Sequence, residues 1–215
     1  MPGPAGPPQP AGVSRAIYLA PWRIDVTVRP GVGRLLAQAR LSRVALARAI
    51  RDALEVAGAP RPASVGLILS DDAELAELNA AHLGKSGPTD VLSFPLLPPE
   101  AYPSHEGTPR GGRRGRTGSA ARAGAVGGAG AAASLAFTLP PGARPHLGDI
   151  VVSVERAIEQ AVTGRGGQTG DVGSAPADEL RLLVTHGTLH LCGWDHADPV
   201  EESAMRALER RLLGR

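Results

Sequence analysis

The sequence predicts one domain of mixed α and β structure, with a histidine-bearing helix near its end. Three observations carry that reading. At 215 residues the chain can bury one good hydrophobic core, and neither its length nor its pattern calls for two. Short β-branched runs alternate with stretches of helical periodicity in the order strand, helix, strand, helix. The segment HGTLHLCGWDH, residues 186–196, sets three histidines around a glycine.

Residues 1–15 are rich in proline and glycine and hold no continuous apolar run of the kind a signal peptide needs, so they read as a disordered tail ahead of a domain at 16–215. AIYLAPWRIDVTV, residues 16–28, alternates around Ile24, Val26 and Val28 and predicts a first strand, interrupted on its near side by Pro21. From about 33 to 57, Leu35, Leu36, Val44, Ala45, Ala49, Ile50, Leu54 and Val56 recur at helical spacing until Gly58 and Pro60 stop the run. SVGLILS at 64–70 is a short buried strand, and Asp71 or Asp72 can cap a helix through Leu75 and Leu78. TDVLSFP at 89–95 and LGDIVVSV at 147–154 are the third and fourth strands, the last leading into a helix over 155–162.

Between those two strands, residues 97–145 form a Pro, Gly, Ala and Arg tract with RGGRRGRTG at 110–118 and AGAVGGAGAAA at 123–133. Such a stretch has too few large apolar groups to offset the entropy of ordering it, and it predicts a disordered insertion. A second glycine-rich loop near 163–174 precedes a helix that starts around 176–179 and runs through Leu180, Leu183 and Val184 to the histidines. After them, Asp198, Pro199 and Glu201 supply a cap, a first-turn proline and a capping-box acid. Val200, Ala204, Leu208 and Leu212 then make the apolar stripe of a structural last helix.

His186 and His190 are four apart, so on a helix they share one face and can bind one metal ion. Gly193 is suited to the left-handed conformation that ends a helix, which lets the chain return His196 as a third ligand. Three imidazoles suit one zinc ion, and three protein ligands leave a position open for water, as in a catalytic site. Cys192, the single cysteine, falls roughly 140° around the helix from the histidine face and belongs in the core. One cysteine forms no intrachain disulfide and fits a reducing cytosol.

The spacing matches the HExxHxxGxxH pattern of metallopeptidases, whose general base is the glutamate after the first histidine. Here that position is Gly187. Asp195, beside the third ligand, and Asp149 are the candidates to orient a ligand histidine or accept a proton. Ser93 falls on the polar face of a half-buried strand, Thr188 is placed to bond back to its own helix, and His82, His105 and His146 lack ligand spacing and read as surface or loop residues. GKS at 84–86 is not a phosphate loop, since position 79 is Asn, so no nucleotide cofactor is expected.

Lys85 is the sole lysine beside 22 arginines, a bias of composition rather than of function. The formal charge of +2 is small, and the basic isoelectric point permits a polyanionic partner such as RNA if the arginines cluster. No stretch approaches the length of a transmembrane span, so the protein is expected to be soluble and cytoplasmic, with no membrane partner.

HGTLHLCGWDH, together with the upstream LNAAHLGKSGPTDVLSFP (78–95) and LGDIVVS (147–153), resembles the YbeY family of bacterial metal-dependent endoribonucleases. The match covers most of residues 64–213 outside the two loops. The resemblance implies an α+β fold, taken here as a mixed four-stranded sheet packed by helices around a zincin-like His-bearing helix, with His186, His190 and His196 as zinc ligands. It also implies single-strand-specific cleavage in the maturation of the 16S rRNA 3′ end and in ribosome quality control. The partners it implies are rRNA, the small ribosomal subunit, and a small-subunit ribosomal protein or ribosome-assembly GTPase. The family usually has an arginine in the segment before GK; here that position is Leu83, which leaves Lys85 as the nearest cation to bind phosphate. Two readings compete with this one: another zinc hydrolase, which needs a carboxylate base near the metal, and a ribosome assembly factor whose metal is mainly structural.

Overall fold

A computed structural model describes residues 12–105, 144–164 and 175–214. Five strands, β1 (Val13–Leu19), β2 (Trp22–Val28), β3 (Ala63–Ser70), β4 (Val91–Pro95) and β5 (His146–Ser153), form one sheet in the order β1-β2-β3-β5-β4. β2, β3 and β5 are parallel, and the antiparallel strands β1 and β4 close its two edges. The helices are α1 (Gly33–Gln38), α2 (Arg43–Val56), α3 (Asp72–Leu83), α4 (Val154–Thr163), α5 (Pro176–Leu191) and α6 (Pro199–Leu213). The fold is a single α+β domain.

The sheet has five strands rather than the expected four because residues 16–28 are a hairpin. Leu19 pairs with Trp22 across Ala20 and Pro21, and proline, with no N–H to donate, is suited to the turn rather than the ladder. The hairpin's first strand begins at Val13, so the end of the expected 1–15 tail belongs to the sheet; residues 1–11 lie outside the described ones. β1 carries a weak burial signal because it is an edge, with Val13 and Tyr18 largely exposed. β2 shows the clean alternation of a strand with one covered face, Trp22, Ile24, Val26 and Val28 all being buried.

The helix expected over 33–57 is two helices. Arg40 takes a left-handed φ of 52° between them, and the Ser42 side chain accepts a hydrogen bond from Ala45 N to start α2. Leu36 of α1 and Leu46, Ile50 and Leu54 of α2 enter the same core, which is why the periodicity runs on across the break. That core lies between one face of the sheet and α2, α4, α5 and α6. The other face carries α3, where Leu75, Leu92 and Val151 form a smaller cluster.

Asp71, of the two candidates, caps α3, its carboxylate accepting from Glu74 N, and Gly84 ends the helix in the left-handed conformation. Glu74 also ties α3 to the sheet, since Arg29 at the end of β2 forms a two-pronged ion pair with it and the Ser70 hydroxyl donates to it. Burial alone would raise the Glu74 pKa, but these hydrogen bonds and the arginine charge outweigh it and hold the carboxyl below its usual value.

Two further expectations are corrected. The tract at 97–145 is not loop throughout: a short 3-10 turn at Pro99–Ala101 leads to a buried Tyr102, and the segment packs as far as His105, while 106–143 lie outside the described residues. On α6 the inward stripe is Glu201, Met205, Leu208 and Glu209, and Val200 is exposed. Among the described residues no helix is long and apolar enough to cross a membrane.

Candidate metal centre

α5 is buried on nearly every side, against β4, β5, α2, α4 and α6. It meets the sheet closely at Gly187. A Cβ there would stand 2.8 Å from Ile150 Cγ2, 3.0 Å from Val91 Cγ2 and 3.1 Å from Ser93 Oγ. Ser93 completes the contact by donating its hydroxyl to the Gly187 carbonyl at 2.9 Å. The residue after the first helix-borne histidine therefore faces the sheet at contact distance, and position 187 has no room for a peptidase carboxylate. Thr188 bonds back to Val184 O at 2.7 Å, as expected of a buried hydroxyl inside a helix.

The helix ends in a Schellman motif. Gly193 has φ 85°, its N–H reaches His190 O and the Trp194 N–H reaches Leu189 O, each at 3.1 Å. The reversal aims the Trp194 carbonyl at His190, which donates its Nδ1–H to it at 2.8 Å. Two residues on, His196 comes back over the helix face. Ligand atoms of His186, His190 and His196 all lie within 4.8 Å of one another. Cys192 is buried in the core, and burial pushes its thiol up to about 12, so it presents no thiolate.

His186 is oriented by a residue that the sequence reading did not single out. Glu209, on α6, lies 2.6 Å from its Nδ1. A carboxylate can only accept, as can a carbonyl, so both helix-borne histidines carry their proton on Nδ1 and present Nε2 as a lone pair. The two Nε2 atoms are 3.1 Å apart. With no proton between them, the pair is satisfied by an electron-pair acceptor, and ligand nitrogens on one tetrahedral zinc stand roughly 3.3 Å apart. The donor set fits zinc. Burial, reinforced by the neighbouring His186 and His196, pushes the His190 pKa down to about 4, which leaves it neutral and able to ligate at pH 7.

The third histidine of the cluster is held less deeply. His196 is exposed, and its turn is braced by Asp195, whose Oδ1 accepts from His196 N at 2.7 Å. Asp195 N donates in turn to Glu201 Oε1 at 2.9 Å. The capping-box acid of α6 thus reaches past its own helix start to hold the turn that carries His196. Asp149 is elsewhere: it bonds His146 Nε2 at 3.1 Å, and Ser64 Oγ meets the other ring nitrogen of that histidine at 3.0 Å. At His186 and His190 the Nδ1 atoms meet Glu209 and the Trp194 carbonyl rather than Asp149 or Asp195. Lys85 and Leu83 are exposed at the end of α3. His82 meets Phe94 edge-on, and His105, in the loop after β4, stacks on Trp194 with only 12% of its side chain exposed.

Glu209 had one signal in the sequence: its spacing of eight from Glu201 sets it on the same face of α6 as Met205 and Leu208. An acid within an apolar stripe calls for a buried partner.

A family model described as Endoribonuclease YbeY matches residues 36–215. Among relatives named Endoribonuclease YbeY, that of Salinispora tropica is 39% identical over 76% of this chain and 80% of its own. The one from Roseiflexus sp. is 32% identical over 77% and 78%, and that of Roseiflexus castenholzii 32% over 89% and 91%.

Proposed function

Because this chain belongs to the YbeY endoribonuclease family, we propose that it is a zinc-dependent, single-strand-specific endoribonuclease acting in 16S rRNA 3′-end maturation and ribosome quality control. In this reading it works in the cytoplasm on the small ribosomal subunit, beside a small-subunit ribosomal protein or a ribosome-assembly GTPase. The observation that carries the proposal is the convergence of His186, His190 and His196 with both helix-borne Nδ1 atoms already committed to acceptors.

One bound zinc ion would supply a Lewis acid that lowers the pKa of water toward about 7 and polarises a phosphoryl oxygen. The chain's own residues do the rest. Glu209 and the Trp194 carbonyl fix the two ring orientations, so that little reorganisation accompanies binding. Asp195, exposed next to His196, is the carboxylate assigned to take a proton from the attacking hydroxyl, whether of water or of the ribose 2′ position. Lys85, exposed past Gly84, is assigned to contact phosphate as a point charge.

The peptidase form of the zinc-hydrolase reading loses its basis at Gly187. The assembly-factor reading draws on Leu83, an apolar and exposed side chain at the position where the family's arginine is expected. Metal analysis with cleavage of single-stranded and structured rRNA fragments, comparing wild type with His190→Ala, separates them. The proposal expects about one zinc per chain and cleavage lost in the variant. Zinc without cleavage of any RNA would replace it with the assembly factor.

A further inference from the structure

The turn that returns His196 is held at two points. Trp194 supplies the carbonyl that fixes His190, and Glu201 accepts the Asp195 N–H next to His196. One side chain from a distant part of the sequence meets both. The His105 ring lies flat on the Trp194 indole, with centroids 3.8 Å apart and planes within 8°, and its Nε2 stands 3.7 Å from Glu201 Oε1.

His105 is delivered there by an anchored segment. Pro99 lies against the Gly193 reversal, where a Cβ would meet its Cα at 3.4 Å. Tyr102 is buried, and the ring of Pro103 packs so closely on Gly58 that a Cβ there would come within 2.8 Å of it. The segment after β4 is thus fastened to the far end of α2 and to the end of α5 before it presents the imidazole.

We propose that His105 is a positioning residue of the metal centre, holding Trp194 and Glu201 so that the 193–197 turn keeps His196 opposite His186 and His190. The inference rests on the metal-site reading above. His186 needs no such help, since α5 is enclosed on nearly every side and Glu209 holds the ring. His196 does: it is exposed and follows a glycine reversal, so its contribution to affinity depends on how far the turn is already in place before the ion arrives. A flat ring stacked on one side of the turn restricts it without touching the ion.

The test compares wild type, His105→Ala and His105→Tyr, the last keeping a flat ring over Trp194. Zinc dissociation constants come from competition with a chromophoric chelator. Visible absorption of the cobalt-substituted proteins reports the ligand field, and thermal unfolding of the metal-free proteins reports the fold. The expected result for His105→Ala is zinc affinity weaker on the order of tenfold. An altered cobalt spectrum and a metal-free unfolding temperature near that of wild type should accompany it, with His105→Tyr recovering most of the affinity. Unchanged zinc affinity in His105→Ala would overturn the assignment. So would a loss matched by lower metal-free stability that His105→Tyr does not recover, since that marks a packing role alone. If wild type takes up no zinc, the metal-site reading fails first and the inference with it.

Discussion

Glu209 Oε1 lies 2.6 Å from His186 Nδ1, joining the last helix to the first histidine of the candidate metal centre. The carboxylate is nearly enclosed, with 7% of its side chain exposed, so the pair is both an orienting device and a charge-assisted hydrogen bond shielded from water. It makes α6 part of the site rather than a structural appendage.

Glu209→Gln should therefore weaken metal binding by about tenfold, since an amide still accepts the Nδ1 proton but no longer raises the ligand's basicity. Glu209→Leu should cost more, approaching a hundredfold, because the ring is then free to rotate. Competition titration with a chelator measures both. Equal affinities in the two variants and wild type would remove Glu209 from the site.

The His190 shift gives the metal-free protein an acid-sensitive stability. Its folded pKa of about 4 lies below the ordinary histidine value of 6.5, so between those values the unfolded chain binds more protons. This share of the stability is complete above pH 6.5, falls as the pH drops toward 4, and is gone below that. At pH 5 the loss attributable to His190 should be roughly 2 kcal/mol. Urea unfolding at pH 7 and pH 5, for wild type and His190→Asn, isolates it. An equal pH dependence in both would show that burial of the neutral imidazole is not its source.

Gly187→Ala should destabilise the fold by about 1 kcal/mol. Alanine gains about that much over glycine inside a helix, but a methyl forced against Ile150 and Val91 costs roughly 1–3 kcal/mol. Gly187→Glu, which completes the peptidase motif on paper, should cost more than 3 kcal/mol and confer no peptidase activity, because its carboxylate would enter the helix–sheet contact. Chemical denaturation and a peptide hydrolysis assay test the two halves. A stable Gly187→Glu protein would mean that α5 can lift off the sheet.

The histidine cluster was readable in the sequence, and its supports were not. Histidines four apart on a helix followed by a glycine define a local geometry, and periodicity arguments handle local geometry well. Glu209 escaped because such arguments count an acid as outward-facing. Of the stripe read through Val200, Ala204, Leu208 and Leu212, the last two do pack and Val200 faces solvent, while two of the four residues buried on α6 are glutamates held by partners on other elements. The hairpin at 13–28 escaped for the opposite reason: its edge strand buries too little to leave a pattern. His105 sits in a tract whose composition is that of a loop, and its stack on Trp194 is a long-range contact that no local signal encodes.

The pairing of Pro95 with Gly148, where β4 meets β5 antiparallel, has a consequence for how this chain can vary. The two ends of the 97–145 tract leave the sheet side by side, so the chain between them closes onto a gap of fixed width. The entropy of such closure rises with the logarithm of length, about 0.6 kcal/mol per doubling. Insertion and deletion are thus cheap at this seam, provided that the first few residues beyond β4 stay to brace the 193–197 turn. Length and architecture are decoupled there, and a sequence comparison that penalises gaps evenly would overstate how far two such proteins have diverged.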